Sequence, residues 1–322
     1  MNRTAAIDWV RKLGSPLYTC INQSKVHPLG VFSQVRGAAL VVAAHLAYCA
    51  IGDQERADVK RATIIPCHAF HLLRSVTSFE LAMAFGPLDF PEAFIVRTNR
   101  FVALCLPTAD ELLIGVRGTV GAYDWGLNAR IWPRRSASLN LPMYFHSGFL
   151  SEAELLASSL SQAIQSHRKY GSIKRVFLAG HSLGGAIAAI LHQRRELFAP
   201  HLPGQGYAPG DCYIFGAPRT VWRDSTAFRG QPFAIRRIED IVPHMPFATL
   251  GYKDFPQQYD VGGTPFCYRG LAGFSRFLQW VAAAKFRKFL EAHSITTYRR
   301  EVLLAARGHP DLAPFWRDGF ND

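Results

Sequence analysis

Several features that would narrow the function are missing from this 322-residue sequence. Its six cysteines form no C-x-x-C pair, which argues against a zinc site, a redox motif or a disulfide framework and favours buried, reduced thiols. No apolar run reaches the ~20 residues that a helix needs to cross a bilayer, and no apolar core of a secretory signal is visible. The sequence therefore predicts a cytoplasmic protein, with export by a signal-less route as the alternative.

Lysine is also scarce, since 28 arginines and only 8 lysines make up the 36 cationic residues. The net charge is +12, but the arginines are scattered, and no recognition helix, zinc-finger spacing or aromatic RNA-binding strand accompanies them. We therefore expect no nucleic-acid partner. The charge fits a solvated surface. Its functional alternative is peripheral contact with an anionic membrane, worth about 1 kcal/mol per well-placed cation.

What the chain does have is enough apolar residues, 49%, for a substantial core. We predict a single domain over residues 1–322. In it, a helical N-terminal part, residues 1–88, packs on a catalytic core, residues 89–306. The N-terminal helices are predicted at Ser33–Cys49, with Ser33 as the cap, and at Cys67–Phe85.

Strand and helix patterns alternate through the core, which predicts an α/β fold with a mostly parallel central sheet and helices on both faces. The site of such a sheet lies beyond the carboxyl ends of its strands. Gly118–His146 is predicted to be a long connection, of a length that is usually functional or mobile. Strands are predicted within Glu92–Leu106 and at Glu111–Val116, Ile173–Ala179, Tyr213–Phe215 and Phe233–Ile238. One helix is predicted to begin at a capping box, Ser151–Glu154, and to end at Gly171. Further helices are predicted at Ala186–Phe198, Phe274–Ala292 and Thr296–Ala306.

Gly180-His-Ser-Leu-Gly184 lies where a predicted strand passes into a predicted helix. Gly-x-Ser-x-Gly is a short and weak pattern alone, but this setting is the one that a nucleophile elbow needs. Small residues must flank the serine because the sharp turn brings strand and helix together. The helix N-terminus also directs backbone N–H groups towards developing negative charge. Ser182 is therefore the predicted nucleophile.

A serine nucleophile needs a base and an orienting carboxylate, which follow it in the order acid, then histidine, in this architecture. Asp240 comes just past a predicted strand, whereas Glu239, its nearest rival, would point to the other side. Three histidines follow Asp240. His293, between two predicted helices, is the favoured base. His244, close to Asp240 and flanked by prolines, and His309, near the end of the sequence, remain open alternatives.

The oxyanion of an acyl-transfer intermediate needs two backbone donors. The first is predicted to be the N–H of Leu183, which follows the nucleophile. Gly118 ends an early strand and lets the chain turn, so the N–H of Thr119 is the second candidate, although Gly-Thr after a strand is also a common structural pattern.

Taken together, these motifs resemble the class 3 (fungal-type) lipases of the α/β-hydrolase fold. The resemblance implies Ser182 as nucleophile, Asp240 as acid, His293 as base, and Thr119 and Leu183 as oxyanion donors. The matching stretches, in the family's order, are Gly115–Thr119, Asp124-Trp125, His146–Phe149, Gly180–Gly185, Phe215–Arg219, Glu239–Pro243, His293 and Tyr298.

The resemblance also implies a lid, here roughly residues 120–141. One departure concerns the stretch after Gly-x-Pro-Arg, which the family usually continues with Val-Gly-Asn and which here reads Thr220-Val-Trp-Arg-Asp224. The predicted function is a serine carboxylester hydrolase on acyl lipids, with no metal or cofactor. The alternatives are a phospholipase A-type enzyme on anionic membranes and, from another class, a non-catalytic protein of this fold that binds lipid or a partner.

Overall fold

The computed structural model describes residues 13–14, 17–49, 93–98, 100–118, 132–136, 143–166, 172–194, 208–224, 228, 230–265 and 291–309. Its helices include α1 (Gln34–Leu46), α2 (Ser147–Ser166), α3 (Leu183–Gln193) and α4 (Ile295–Ala306). Its strands are β1 (Phe94–Arg97), β2 (Val102–Pro107), β3 (Glu111–Val116), β4 (Pro133–Arg135), β5 (Tyr144–His146), β6 (Arg175–His181), β7 (Ala208–Phe215), β8 (Val221–Trp222), β9 (Phe233–Arg236), β10 (Tyr252–Lys253) and β11 (Gln257–Asp260).

Seven strands form the central sheet, in the order β1-β2-β3-β6-β7-β9-β11. β1, β2 and β3 pair antiparallel, and β3, β6, β7, β9 and β11 pair in parallel. The strands lie between two apolar layers, so their residues alternate between the layers: Leu113 packs in the cluster with α1 and α4, and Leu112 and Ile114 pack in the cluster with α2 and α3. The mostly parallel sheet covered on both faces confirms the predicted α/β-hydrolase fold.

A smaller antiparallel sheet, in the order β10-β8-β5-β4, borders the central one. Two of its strands, β4 and β5, lie in the predicted connection Gly118–His146, for which the sequence predicted no strand. Strands of two or three residues are too short for alternation to show in the sequence. Of the predicted lid, residues 120–141, only residues 132–136 are described, and they contain β4.

Helix α1 begins as predicted, with the Ser33 side chain accepting a hydrogen bond from the N–H of Arg36. Helix α2 begins at Ser147, four residues before the predicted capping box. The predicted capping box at Ser151–Glu154 is wrong, because the two side chains have other partners. Ser151 Oγ donates to the carbonyl of Ser147, and Glu154 pairs with Arg134 of β4.

Cys20, Cys105 and Cys212 are free and buried, as predicted for reduced thiols, and burial raises the pKa of Cys20 to about 12. No helix in the described ranges is long and apolar enough to span a membrane. The predicted helix at Cys67–Phe85 lies outside the described residues. Of the predicted helix at Phe274–Ala292, only the last two residues are described.

Candidate active site

Ser182 occupies the turn between β6 and α3. Its φ of 57° and ψ of −132° lie in a region that residues with a side chain rarely adopt. Side chains on the flanking glycines would collide with backbone, at Gly180 with Gly184, and at Gly184 with Val116 and Arg117. The elbow therefore needs glycine at both positions, as its strand–turn–helix setting predicted.

Ser182, His293 and Asp240 form one continuous chain of hydrogen bonds. His293 Nε2 lies 2.6 Å from Ser182 Oγ, and His293 Nδ1 lies 2.8 Å from Asp240 Oδ2. The fold brings them together from the elbow, the loop after β9 and the turn before α4. This arrangement can pass a proton from the hydroxyl to the ring while the carboxylate holds the ring in place.

The Asp240 carboxyl is buried and accepts two further hydrogen bonds. Tyr298 Oη donates to Oδ2 at 2.7 Å, and the N–H of Val242 donates to Oδ1 at 3.0 Å. Burial, and after it the Asp240 charge, raise the pKa of Tyr298 well above its usual value, so the phenol keeps its proton. Because the carboxylate only accepts, His293 carries its proton on Nδ1 and presents the Nε2 lone pair to Ser182.

The alternative candidates for the acid and the base do not take part in this chain of hydrogen bonds. The Glu239 side chain is 60% exposed and lies 3.7 Å from Arg237. His244 is buried in the short 3₁₀ turn Val242–His244, and the His309 ring packs against His27 with centroids 5.5 Å apart. In the hydrogen bonds of the described residues, His293 supplies the ring nitrogen at the serine hydroxyl.

The acid loop, residues 240–246, is held by Arg219. The Arg219 N–H donates to the carbonyl of Met245 at 2.7 Å, and its Nη1 donates to the carbonyl of Pro246 at 3.1 Å. Asp254 Oδ1, 2.9 Å from Arg219 Nε, fixes the guanidinium in turn. The position of the carboxylate thus depends on a charged pair outside the hydrogen-bonded chain.

Leu183 is the first residue of α3, where backbone N–H groups have no acceptor within the helix. Gly118 lies beside the serine, since a side chain there would come within 2.9 Å of Ser182 Cβ. Thr119, the other predicted oxyanion donor, lies outside the described residues. Across the described ranges, no group of three or more His, Cys, Asp or Glu residues is arranged to hold a metal ion.

Sequence reasoning assigned no role to Tyr298, His181 or Tyr48. His181 Nδ1 lies 2.7 Å from Tyr48 Oη, and His181 Nε2 lies 2.8 Å from the carbonyl of His293. Tyr298 was among the residues that match the family, and a buried carboxylate needs several donors, so these two signals together could have identified its role. No pattern in the chain linked Tyr48 with His181.

Residues 113–250 match the family described as Lipase (class 3), which confirms the resemblance. A curated relative, secreted mono- and diacylglycerol lipase 1 of Fusarium solani, is 28% identical over 160 residues. That match covers 48% of this chain and 45% of the relative, so the chain spans less than half of the relative's length.

Solved lipase structures are similar at lower identity. A mono- and diacylglycerol lipase from Aspergillus oryzae is 16% identical, with 71% of this chain and 80% of that chain covered and a TM-score of 0.48. A lipase from Rhizopus microsporus var. chinensis is 21% identical, with 67% and 69% covered and a TM-score of 0.40. At such scores neither supports an inference of its own, and the fold class follows from the strand order.

The predicted cytoplasmic location is wrong: the curated relative is a secreted lipase. The prediction rested on the lack of a recognisable export signal. A missing signal is no positive sign of any compartment.

Proposed function

We propose that the protein is a serine carboxylester hydrolase that acts on acyl lipids, acylglycerols first, since residues 113–250 match the class 3 lipase family. The observation that carries the proposal is the hydrogen-bonded chain from Ser182 Oγ through His293 to Asp240, with separations of 2.6 and 2.8 Å. The secreted relative supports an extracellular setting for this activity.

In the proposed reaction, Ser182 Oγ attacks the ester carbonyl carbon as its proton passes to His293 Nε2. The negative oxygen of the tetrahedral intermediate accepts from the N–H of Leu183 and, by the sequence prediction, of Thr119. The bond to the leaving alcohol breaks as His293 returns the proton to its oxygen. Water, deprotonated by the same ring, then attacks the acyl-enzyme and releases the carboxylic acid and free Ser182.

Replacement of the nucleophile tests the proposal. We expect Ser182→Ala to lower kcat on a short p-nitrophenyl ester by about 10⁶-fold, and to abolish labelling by a fluorophosphonate probe. Ser158→Ala, at an exposed serine of α2, is the matched control and should keep full activity. Turnover retained in Ser182→Ala, with the fold intact by circular dichroism, would sink the assignment.

A phospholipase A-type activity on anionic membranes is the second candidate, favoured by one surface. Arg135, Tyr144 and Trp222 are register partners across β4, β5 and β8, so they share one face of the small sheet. The Arg223 guanidinium stacks 3.9 Å over the Trp222 ring, and the Trp222 Nε1–H donates to the carbonyl of Leu250, whose side chain is 47% exposed. We call these five residues the aromatic–arginine row.

The strand that carries Trp222 follows β7, which bonds to the nucleophile, in the chain. β8 begins shortly after Phe215, the last residue of β7, whose carbonyl accepts from the N–H of Ser182 at 2.9 Å. Aromatic rings beside arginines suit the headgroup region of an anionic bilayer. Trp222 also stands where the family usually has Asn.

Vesicle binding tests this candidate. We expect Arg223→Glu to weaken binding to phosphatidylglycerol vesicles about 30-fold, because the substitution changes the charge by two and each charge near the surface is worth about 1 kcal/mol, and to leave hydrolysis of a soluble ester unchanged. Lys174→Glu is the charge-matched control, because Lys174 directly precedes β6 and lies at the end of that strand opposite Ser182. Equal losses in both variants would report net charge alone and remove the support for this candidate.

A further inference from the structure

His181 is a buried histidine that the proposed reaction does not use. It is the last residue of β6, directly before Ser182, and its side chain runs between two distant parts of the chain. Nδ1 lies 2.7 Å from Tyr48 Oη, and Nε2 lies 2.8 Å from the backbone carbonyl of His293. The rings of His181 and His293 are 4.7 Å apart between centroids.

The direction of both hydrogen bonds follows from chemistry. A carbonyl oxygen only accepts, so the proton of the His181 ring is on Nε2. Burial lowers the pKa of His181 well below its usual value, and His293 and His45 lower it further, so the ring is neutral and Nδ1 is an acceptor. Tyr48 therefore donates its hydroxyl proton to Nδ1. Tyr298 also faces the ring, at 5.6 Å between centroids.

We propose that His181 is a positioning residue for the catalytic base, holding the backbone of His293 through Nε2–H, and that Tyr48 fixes the tautomer in which it can do so. The proposal rests on the proposed hydrolase function. His181 and Tyr48 touch no reacting atom, and they act only through the base.

The turn that carries His293 is held by a second backbone hydrogen bond. It lies between the carbonyl of Ala292, to which Arg237 Nη1 donates at 2.7 Å, and α4, whose cap residue Ser294 makes no side-chain capping bond. Two donors, Arg237 directly after β9 and His181 at the end of β6, thus hold successive carbonyls. The second holds the backbone from which the ring projects, whereas Asp240 contacts only the ring itself.

This link also brings the N-terminal part of the chain into the site. Tyr48 lies in the short 3₁₀ turn after α1, within the predicted N-terminal helical part. A side chain at Gly118 would collide with the Tyr48 hydroxyl, so this phenol stands beside the turn that leads to Thr119. Tyr48 therefore contacts the histidine that holds the base and also lies beside Gly118.

Three variants test the proposal, by kcat, KM and the burst rate of p-nitrophenol release on a short ester. His181→Phe keeps the ring volume but removes both bonds, and we expect kcat to fall by about 10- to 100-fold, with KM within about twofold, because the ring is misplaced rather than lost. His181→Gln restores an N–H near Nε2 and should recover activity to within about fivefold of wild type. Tyr48→Phe should lower kcat by about threefold to tenfold.

Tyr213→Phe is the matched control, since it also removes a buried phenol, one that bonds to the backbone of Ser33 away from the triad. It should lower thermal stability and leave kcat unchanged. A purely structural role for His181 would show the same pattern, and His181→Gln would then be no better than His181→Phe. Either result overturns the proposal.

If His181→Phe does not fold, Tyr48→Phe decides: kcat equal to wild type overturns the proposal. Ser182→Ala in the same assay keeps the two hypotheses apart. Turnover retained there contradicts the hydrolase function itself, whereas its loss, together with full activity in the His181 and Tyr48 variants, contradicts only the positioning role.

Discussion

Two buried carboxylates lie on or next to neighbouring strands of the sheet and differ in the charge of their hydrogen-bond partners. Asp211, within β7, is ion-paired with the buried Arg36 of α1 and also accepts from the N–H of Gly30 and from Gln231 Nε2. Asp240, after β9, accepts only from neutral groups in the described residues: the His293 ring, the Tyr298 phenol and one backbone N–H.

The two carboxylates differ in whether a positive charge is present beside them at all times or only during the proposed reaction. The charge of Asp211 is balanced permanently by a guanidinium, which suits a carboxylate that ties α1 to the sheet. Among the described residues, the Asp240 carboxylate pairs with the His293 ring and with no lysine or arginine. In the proposed reaction, its cation is the imidazolium that forms as Ser182 loses its proton. A buried charge left without a permanent partner is therefore the more informative of the two.

The sharpest way to break this contrast is Asp240→Asn. We expect kcat to fall by about 10⁴-fold on a short ester, because an amide can neither hold the correct His293 tautomer nor stabilise the imidazolium. Thermal unfolding should change little, since no fixed cation loses its partner. A variant that keeps kcat within tenfold of wild type would contradict the role given to Asp240.

Asp211→Asn is the opposite experiment. It leaves the Arg36 guanidinium buried without its counter-charge, so the free energy of unfolding in urea should fall by about 3 kcal/mol. kcat per folded molecule should stay within about twofold, because Asp211 does not touch the triad. A large loss of kcat with unchanged stability would mean that the two carboxylates are not separate in function.

A pH series sharpens the contrast on the Asp240 side. Burial, and after it Arg236 and Arg219, lower the pKa of His244 in the acid loop to about 4. The unfolded chain binds this proton more readily, so the stability from the neutral ring is complete above pH 6.5 and is lost as the pH falls towards 4.

His244→Gln cannot take up that proton. Its loss of unfolding free energy between pH 7 and pH 4.5 should therefore be smaller than that of wild type, by about 2 kcal/mol. Urea unfolding at both pH values measures the difference. Parallel losses in the two proteins would show that other groups carry the acid sensitivity.

What could be predicted from the sequence was local. The residues of the elbow are consecutive in the chain, so the glycines around Ser182 predict it. Asp240 and His293 followed from chain order and the ends of predicted elements. The bonds of Tyr298 to Asp240 and of Tyr48 to His181 join residues 58 and 133 positions apart, and no periodicity encodes such contacts.

Asp211 illustrates the other limit. The strand was predicted to begin at Tyr213, because Pro209, Gly210 and Asp211 are residues that strands avoid. The structure extends β7 back to Ala208. The tertiary ion pair with Arg36 makes a buried aspartate acceptable there, and this partner lies 175 positions away in the chain.

Tyr298→Phe is the mildest test of the contrast, because it removes one neutral donor and leaves the carboxylate itself. Tyr298 Oη donates to Asp240 Oδ2 at 2.7 Å and accepts from the N–H of Arg237 at 3.1 Å. We expect kcat to fall about tenfold, or 1.4 kcal/mol in activation free energy, with KM unchanged, since the carboxylate loses a bond that orients it towards His293. Tyr252→Phe, at a buried tyrosine of the small sheet, is the control for loss of a phenol. Stopped-flow measurement of acylation decides: if the two variants acylate at the same rate, Tyr298 only fills space, and Asp240 is held by the ring and the backbone alone.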